Sequence, residues 1–206
     1  LRPARHQKPD ALARQGIAHL QRGDAGAAAA YFARAAALAP TQAAHHANLG
    51  LCLRRMGDPG EAAQAMLRAM ELDPANPDFP YNLGNILIDL GQPAMAVAQF
   101  SRAVELRPSH ADALLSMGTC LLDMGHAPEA QSVLRMALTH APDNIAAIVN
   151  LAVVGDFAAY RAFDGHAQNA PTLPGLFLHF EDAPLRQLAR SRRYAKARFL
   201  PAQPLS

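Results

Sequence analysis

Tryptophan is missing from this 206-residue chain, and only 6% of its residues are aromatic. Large aromatic rings dominate the interior of a thick single core. Their scarcity, with half the residues hydrophobic and alanine foremost among them, favours closely stacked helices. Lysine is almost missing: Lys8 and Lys196 are the two present, and arginine carries the remaining positive charge. That bias fits codon usage as readily as function. The formal net charge is only +2, so there is no global argument for nucleic acid or an anionic membrane as partner. No N-terminal apolar run reads as a signal peptide, and no stretch approaches the length of a membrane span. The chain opens on Leu1 rather than Met, as a processed protein or a piece of a longer one would.

Chemistry is equally thin. There is no HExxH, no Cys/His cluster and no Gly-rich phosphate loop. Ser116 and Ser132 have no His/Asp partner at recognisable spacing. His45 and His46 are adjacent, so a helix directs them ~100° apart, a poor arrangement for one ion. His19, His110, His126 and His140 fall near turns or helix ends, where exposure is the ordinary expectation. We therefore expect no catalytic residues, no metal and no cofactor.

What the chain does have is a period. Gly16, Gly50, Gly84 and Gly118 lie 34 residues apart. Twelve residues after each stands an alanine: Ala28, Ala62, Ala96, Ala130. Seven further on come Ala35, Ala69, Ala103 and Ala137, and five beyond those Pro40, Pro74, Pro108 and Pro142. A fixed period of this length predicts a solenoid of paired antiparallel helices. Repeat starts fall at Pro9, Ala43, Pro77, Ala111 and Ile145. The glycine lets the second helix approach, with the alanine twelve later facing it. Phe32, Met66, Phe100 and Leu134 fill the space between helices, and the alanine at the twenty-seventh place admits the next repeat.

Punctuation agrees. Gly23, Gly57, Gly91 and Gly125 mark the turn after each first helix, where a left-handed residue is needed. Asp58-Pro59-Gly60-Glu61 reads as an N-cap, an early proline and a capping box. His126-Ala127-Pro128-Glu129 is a weaker version, and Asn76-Pro77 and Asn144-Ile145 read as caps. The terminal prolines stop each second helix.

These residues resemble the tetratricopeptide (TPR) repeat. Its small, small, aromatic, small, proline pattern falls on Gly50, Ala62, Met66, Ala69, Pro74 and again on Gly84, Ala96, Phe100, Ala103, Pro108. Leu12, His46, Pro80 and Leu114 stand where the family usually has an early aromatic. The resemblance implies an all-α fold: a right-handed TPR superhelix with a C-terminal helical appendage. We expect a disordered leader over 1–8, four repeats over 9–142, and a degenerate fifth repeat or cap over 143–170. Within that cap, Phe157, Tyr160 and Phe163 mark an altered partner helix over 156–166. A connector and a basic amphipathic helix then fill 171–206. Cys52 and Cys120 hold the same place two repeats apart, with four helix layers of ~8–10 Å between them. No disulfide reaches that far, so a reducing compartment, the cytoplasm, is expected.

First helices of TPR proteins line a concave groove, and the sixth place of each repeat points into it. That place holds Arg14, Asn48, Asn82, Ser116 and Asn150. A carboxamide both donates and accepts, so a ladder of them can hold the backbone of an extended polypeptide irrespective of its side chains. The same group can equally bond a neighbouring helix. Asn85 and Thr119, three residues on, add polar lining, and Asp89 and Asp123 should make the groove mouth acidic. The second place of each repeat holds Asp10, Ala44, Asp78, Asp112 and Ala146. Cations are needed there to clamp a partner's acidic C-terminus, so a carboxylate clamp is not expected.

The last segment carries a second resemblance. Glu181-Asp182-Ala183-Pro184 reads as a helix start, and Arg186, Arg190, Arg192, Arg193, Lys196 and Arg198 make the helix basic around Leu185, Leu188, Ala195 and Phe199. Asp156-Phe157, Leu176-Phe177, Asp182, Pro184, Gln187-Leu188-Ala189-Arg190 and Tyr194-Ala195 resemble, in order, the connector of SPINDLY-type protein O-linked N-acetylglucosamine transferases. Gly155 and Phe157 depart from the Cys-Asp-Trp often seen there. The resemblance implies a non-catalytic arm that holds acceptor polypeptides through Asn48, Asn82 and Asn150, with a covalently continuous catalytic domain beyond Ser206. The alternatives are a free-standing scaffold and, less favoured, a nucleic-acid or membrane binder working through the basic helix.

Overall fold

The computed structural model describes residues 8–156, which form two compact units divided after Pro108. The expected leader, the altered helix at Phe157, Tyr160 and Phe163, and the 171–206 connector lie outside the described residues. Unit 1 holds α1 (Pro9–Gln21), α2 (Ala25–Leu38), α3 (Ala43–Met56), α4 (Pro59–Leu72), α5 (Asp78–Asp89) and α6 (Pro93–Leu106). Unit 2 holds α7 (Ala111–Asp123), α8 (Ala127–His140) and α9 (Ile145–Val153). Among the described residues all regular structure is helical. None of these helices is long and apolar enough to cross a membrane.

Local sequence explains each boundary. Nine of the fourteen residues of α2 are alanine, the strongest helix former. Pro59, Pro93 and Pro128 sit in first turns, where a missing N–H costs nothing. Gly23, Gly57, Gly91 and Gly125 all have positive φ, between 71° and 90°, as the turn places predicted. Pro40, Pro74, Pro108 and Pro142 each fall two residues beyond the last residue of a second helix. Asn144 caps α9 by accepting from the Ala147 N–H at 3.1 Å.

Two boundary expectations need correction. The capping box at Asp58 does not form: its side chain makes no cap bond. The Asp58 N–H already donates to the Leu53 carbonyl at 3.0 Å, closing the Gly57 turn. The donor that Glu61 would have satisfied is therefore taken. The third first-helix starts at Asp78 rather than Pro77. Asn76 Oδ1 accepts from the Asp78 N–H at 3.0 Å, an Asx-type turn that leaves Pro77 as the flanking residue.

Within unit 1 each helix packs on the next in chain order, and α3 also meets α5. In unit 2, α8 packs on α7 and α9, and α7 meets α9. Phe32, Met66, Phe100 and Leu134 are fully buried at one repeat place, and Ala35, Ala69, Ala103 and Ala137 at another. The glycine clefts differ in detail from expectation. Three are filled by the large side chain sixteen residues on rather than by the alanine twelve on. A Cβ at Gly84 would lie 2.5 Å from the Phe100 ring, at Gly118 2.6 Å from Leu134, and at Gly16 2.9 Å from Phe32. Only at Gly50 does the backbone of the expected alanine come nearest, its Ala62 carbonyl at 3.0 Å.

Candidate functional site

In unit 1, α3 carries Asn48 and Leu51 and α5 carries Asn82 and Asn85, each pair three residues apart and so on one helix face. All four are half-buried. Among the described residues, no side-chain hydrogen bond engages Asn48, Asn82 or Asn85. Their donors and acceptors are left to whatever lies against this face.

The two first helices are held in register by an ion pair. Arg54, in the last turn of α3, donates through Nε and Nη2 to the carboxylate of Asp89, the last residue of α5. Both partners are more than a third exposed, so the pair adds at most about 1 kcal/mol to stability. It links the two helices that carry Asn48 and Asn82. It also corrects the expectation that Asp89 makes the groove mouth acidic, because Arg54 meets that charge. Asp78, at the second place of its repeat, is likewise paired, accepting from Arg107 Nη2 at 2.6 Å. The described part of unit 1 carries nine acidic and nine basic side chains. The described part of unit 1 therefore has no dominant charge.

In unit 2 the same places are used differently. Asp112, Ser116, Thr119 and Asp123 form one stripe of α7, the outer two exposed and the inner two half-buried. Thr119 Oγ1 donates to the Leu115 carbonyl at 2.9 Å and accepts from Asn150 Nδ2 at 3.0 Å. The asparagine of α9 thus braces α7, with its carboxamide oxygen outside that bond. Asp156, just past α9, is buried and accepts from Arg135 Nε of α8 at 2.7 Å. That pairing spans 21 residues and has no signal in the repeat register.

The histidines split. His19 Nδ1 lies 3.2 Å from Asp24 and its ring stacks on Tyr31. Asp24 also accepts from the Ala27 N–H at 3.0 Å. These bonds hold its carboxyl below the ordinary carboxylate range, the Ala27 N–H first and His19 second. His110 is buried rather than exposed, correcting the expectation for helix-end histidines. It is the N-cap of α7, with Nδ1 accepting from the Ala113 N–H. His45 is buried with neither ring nitrogen hydrogen-bonded. The next repeat places Phe79, also buried, at the same position. Among the described residues, no three His, Cys, Asp or Glu side chains converge as a metal site would require. Cys52 and Cys120 are buried free thiols, and desolvation pushes both up to about 11, so neither is a ready nucleophile.

Stacked helix pairs with small residues at the contacts and a left-handed glycine after each first helix describe a helical-repeat binding scaffold. Profiles of the tetratricopeptide repeat match residues 7–77, 53–105 and 87–153, so the chain belongs to that family. No curated protein sequence matches it significantly. Among solved structures, it is similar to the MamA protein, with 17% identity, a TM-score of 0.67, and coverage of 95% of this chain and 98% of that one. It is also similar to YrrB, described as a TPR protein with an unusual peptide-binding site. There the identity is 23%, the TM-score 0.65, and the coverage 90% and 93%. A third likeness is to the O-GlcNAc transferase of Thermobaculum terrenum, in a K341M mutant form. Identity is 26% and the TM-score 0.59, over 64% of this chain but only 26% of that one.

Proposed function

We propose that this chain is a protein-interaction module that holds an extended polypeptide on the α3–α5 face of unit 1. One observation carries the reading: Asn48 and Asn82 stand one repeat apart, half-buried, with carboxamides that no described residue engages. A carboxamide presents two N–H donors and one carbonyl acceptor, which match the peptide group of an extended strand. The balanced charge of unit 1 supports a ligand recognised by its backbone rather than by acidic side chains. The YrrB likeness supports peptide binding on this fold. The test is selection from a random 15-mer peptide library on the full chain. The selected peptide should lose affinity when its central amides are N-methylated. Affinity that survives N-methylation overturns backbone recognition.

We infer further that the module is the acceptor-binding arm of a SPINDLY-like O-glycosyltransferase working in the cytoplasm. The T. terrenum O-GlcNAc transferase likeness supports this, as do the connector residues from Asp156 to Ala195. In that reading Asn150 and the hydroxyls of Ser116 and Thr119 are candidate acceptor contacts within unit 2. A reading frame that continues past Ser206 into a two-lobed glycosyltransferase domain is the expected result. A frame that stops, or that enters an unrelated domain, favours the free-standing scaffold instead.

A further inference from the structure

We propose that the polypeptide held by Asn48 and Asn82 carries an aliphatic side chain seated on Ile17 and Leu51, and that this contact selects the ligand. The contact rests on the peptide reading above, since it needs a strand already laid across α3 and α5. It supplies what backbone bonds cannot, a preference among side chains. Register is the first argument. Ile17 of α1 and Leu51 of α3 hold the ninth place of successive repeats, and Asn85 and Thr119 hold it in the next two. Leu51, Asn85 and Thr119 are half-buried, and Ile17 is 44% exposed. A place that accepts Asn and Thr does not need an apolar side chain for helix packing. Where packing does need one, every repeat supplies it, as Phe32, Met66, Phe100 and Leu134 show by their complete burial. Ile17 and Leu51 therefore answer to something other than the fold.

Position is the second argument. Single exposed aliphatics are ordinary on any surface. These two differ because they share a face and a register with the open carboxamides. Leu51 follows Asn48 by three residues, on one face of α3 and about 4.5 Å along it. Asn85 stands in the same relation to Asn82 on α5. An extended strand turns alternate side chains to one side, about 7 Å apart. With its peptide groups on Asn48 and Asn82, the strand's inward side chains reach the level of the ninth places. Over α3 such a side chain meets Leu51, and toward α1 it meets Ile17. Over α5 it meets the carboxamide of Asn85, so the apolar demand falls on one end of the ligand only. Covering Ile17 and Leu51 with an aliphatic group is favourable in proportion to the apolar area taken from water.

The test is selection from a random 15-mer peptide library on the full chain, on Ile17→Asn/Leu51→Asn and on Leu67→Asn, each shown by circular dichroism to be folded. The double variant copies the residue that the third repeat already carries at this place. Leu67 is the control: it is as exposed as Ile17, at 49%, but lies on the second helix α4. Wild type should enrich Ile, Leu, Val or Met several-fold at one position next to the amides whose N-methylation abolishes binding. The double variant should lose that preference and bind the wild-type-selected peptide about tenfold more weakly. Leu67→Asn should change neither. Amide-dependent peptides with no aliphatic preference, or with an acidic one, overturn this contact and leave the peptide reading standing. So does a preference that survives in the double variant or disappears equally with Leu67→Asn. Selection of no amide-dependent peptide overturns the peptide reading and this contact together.

Discussion

Asn150 on α9 donates from Nδ2 to Thr119 Oγ1 on α7 at 3.0 Å, while Asn48 and Asn82, at the same place in earlier repeats, make no such bond among the described residues. One residue type at one register position is therefore bonded to a neighbouring helix in one repeat and unengaged by any described residue in two others. Replacing Asn150 with Ala removes a half-buried hydrogen bond and should lower stability by about 1 kcal/mol. Asn48→Ala and Asn82→Ala should each stay within about 0.5 kcal/mol of wild type. Urea unfolding of the three single variants checks the contrast. Three equal losses would mean that the rungs are structural throughout.

The Gly84 cleft has no room to spare. A methyl there would sit 2.5 Å from the ring of Phe100, so Gly84→Ala should cost about 1–3 kcal/mol despite alanine's better helix propensity. Phe100→Leu shortens the opposing side chain. The two changes together should therefore cost less than their sum in a double-mutant cycle. Strict additivity would show that the contact is not what glycine serves.

His45 occupies a buried place that the next repeat gives to Phe79, and neither of its ring nitrogens is bonded. An unpaired buried polar group is unfavourable by about 1–3 kcal/mol. His45→Leu keeps a comparable volume and should raise the melting temperature by about 2–4 °C for each kcal/mol recovered in a chain of this size. A lower melting temperature would mean that the imidazole has a role this face conceals.

Asp24 gives the acid response of the first repeat. Its carboxyl is held below the ordinary range in the folded chain, chiefly by the Ala27 N–H and next by His19. A depressed folded value means its contribution is complete above the unfolded carboxylate pKa of 3.8 and is lost as pH falls through the folded value. Asp24→Ala should destabilise the chain more at pH 7 than at pH 2, the difference fading as pH falls through the folded value. Hydrogen exchange of the α2 amides at both pH values reads this locally. A deficit that persists unchanged in acid would assign the effect to helix propensity instead.

Much of this architecture was legible because packing in a repeat is periodic. Gly16, Phe32, Ala35 and Pro40 recur at fixed offsets, so the pattern alone located the helix pairs and their turns. The failures share a different cause. Asp89 finds Arg54 35 residues away and Asp156 finds Arg135 21 residues away, and neither spacing recurs along the chain. The Asp58 box failed because a turn hydrogen bond took its N–H, a competition that composition does not show. His110 and His45 were read by their place near turns and in a helix, but burial depends on which neighbour covers them. For the candidate rungs, register showed where Asn48, Asn82 and Asn150 stand. Only coordinates separate a carboxamide bonded to its neighbour from one still open.

The most direct test of the central claim is calorimetric titration of a library-selected extended peptide into wild type and into Asn48→Ala/Asn82→Ala, with melting curves for both proteins. Two lost backbone contacts of about 1 kcal/mol each predict a Kd weakened roughly tenfold or more. The melting temperature should stay within a few degrees of wild type. An unchanged Kd, or a melting temperature that collapses along with binding, would contradict the account.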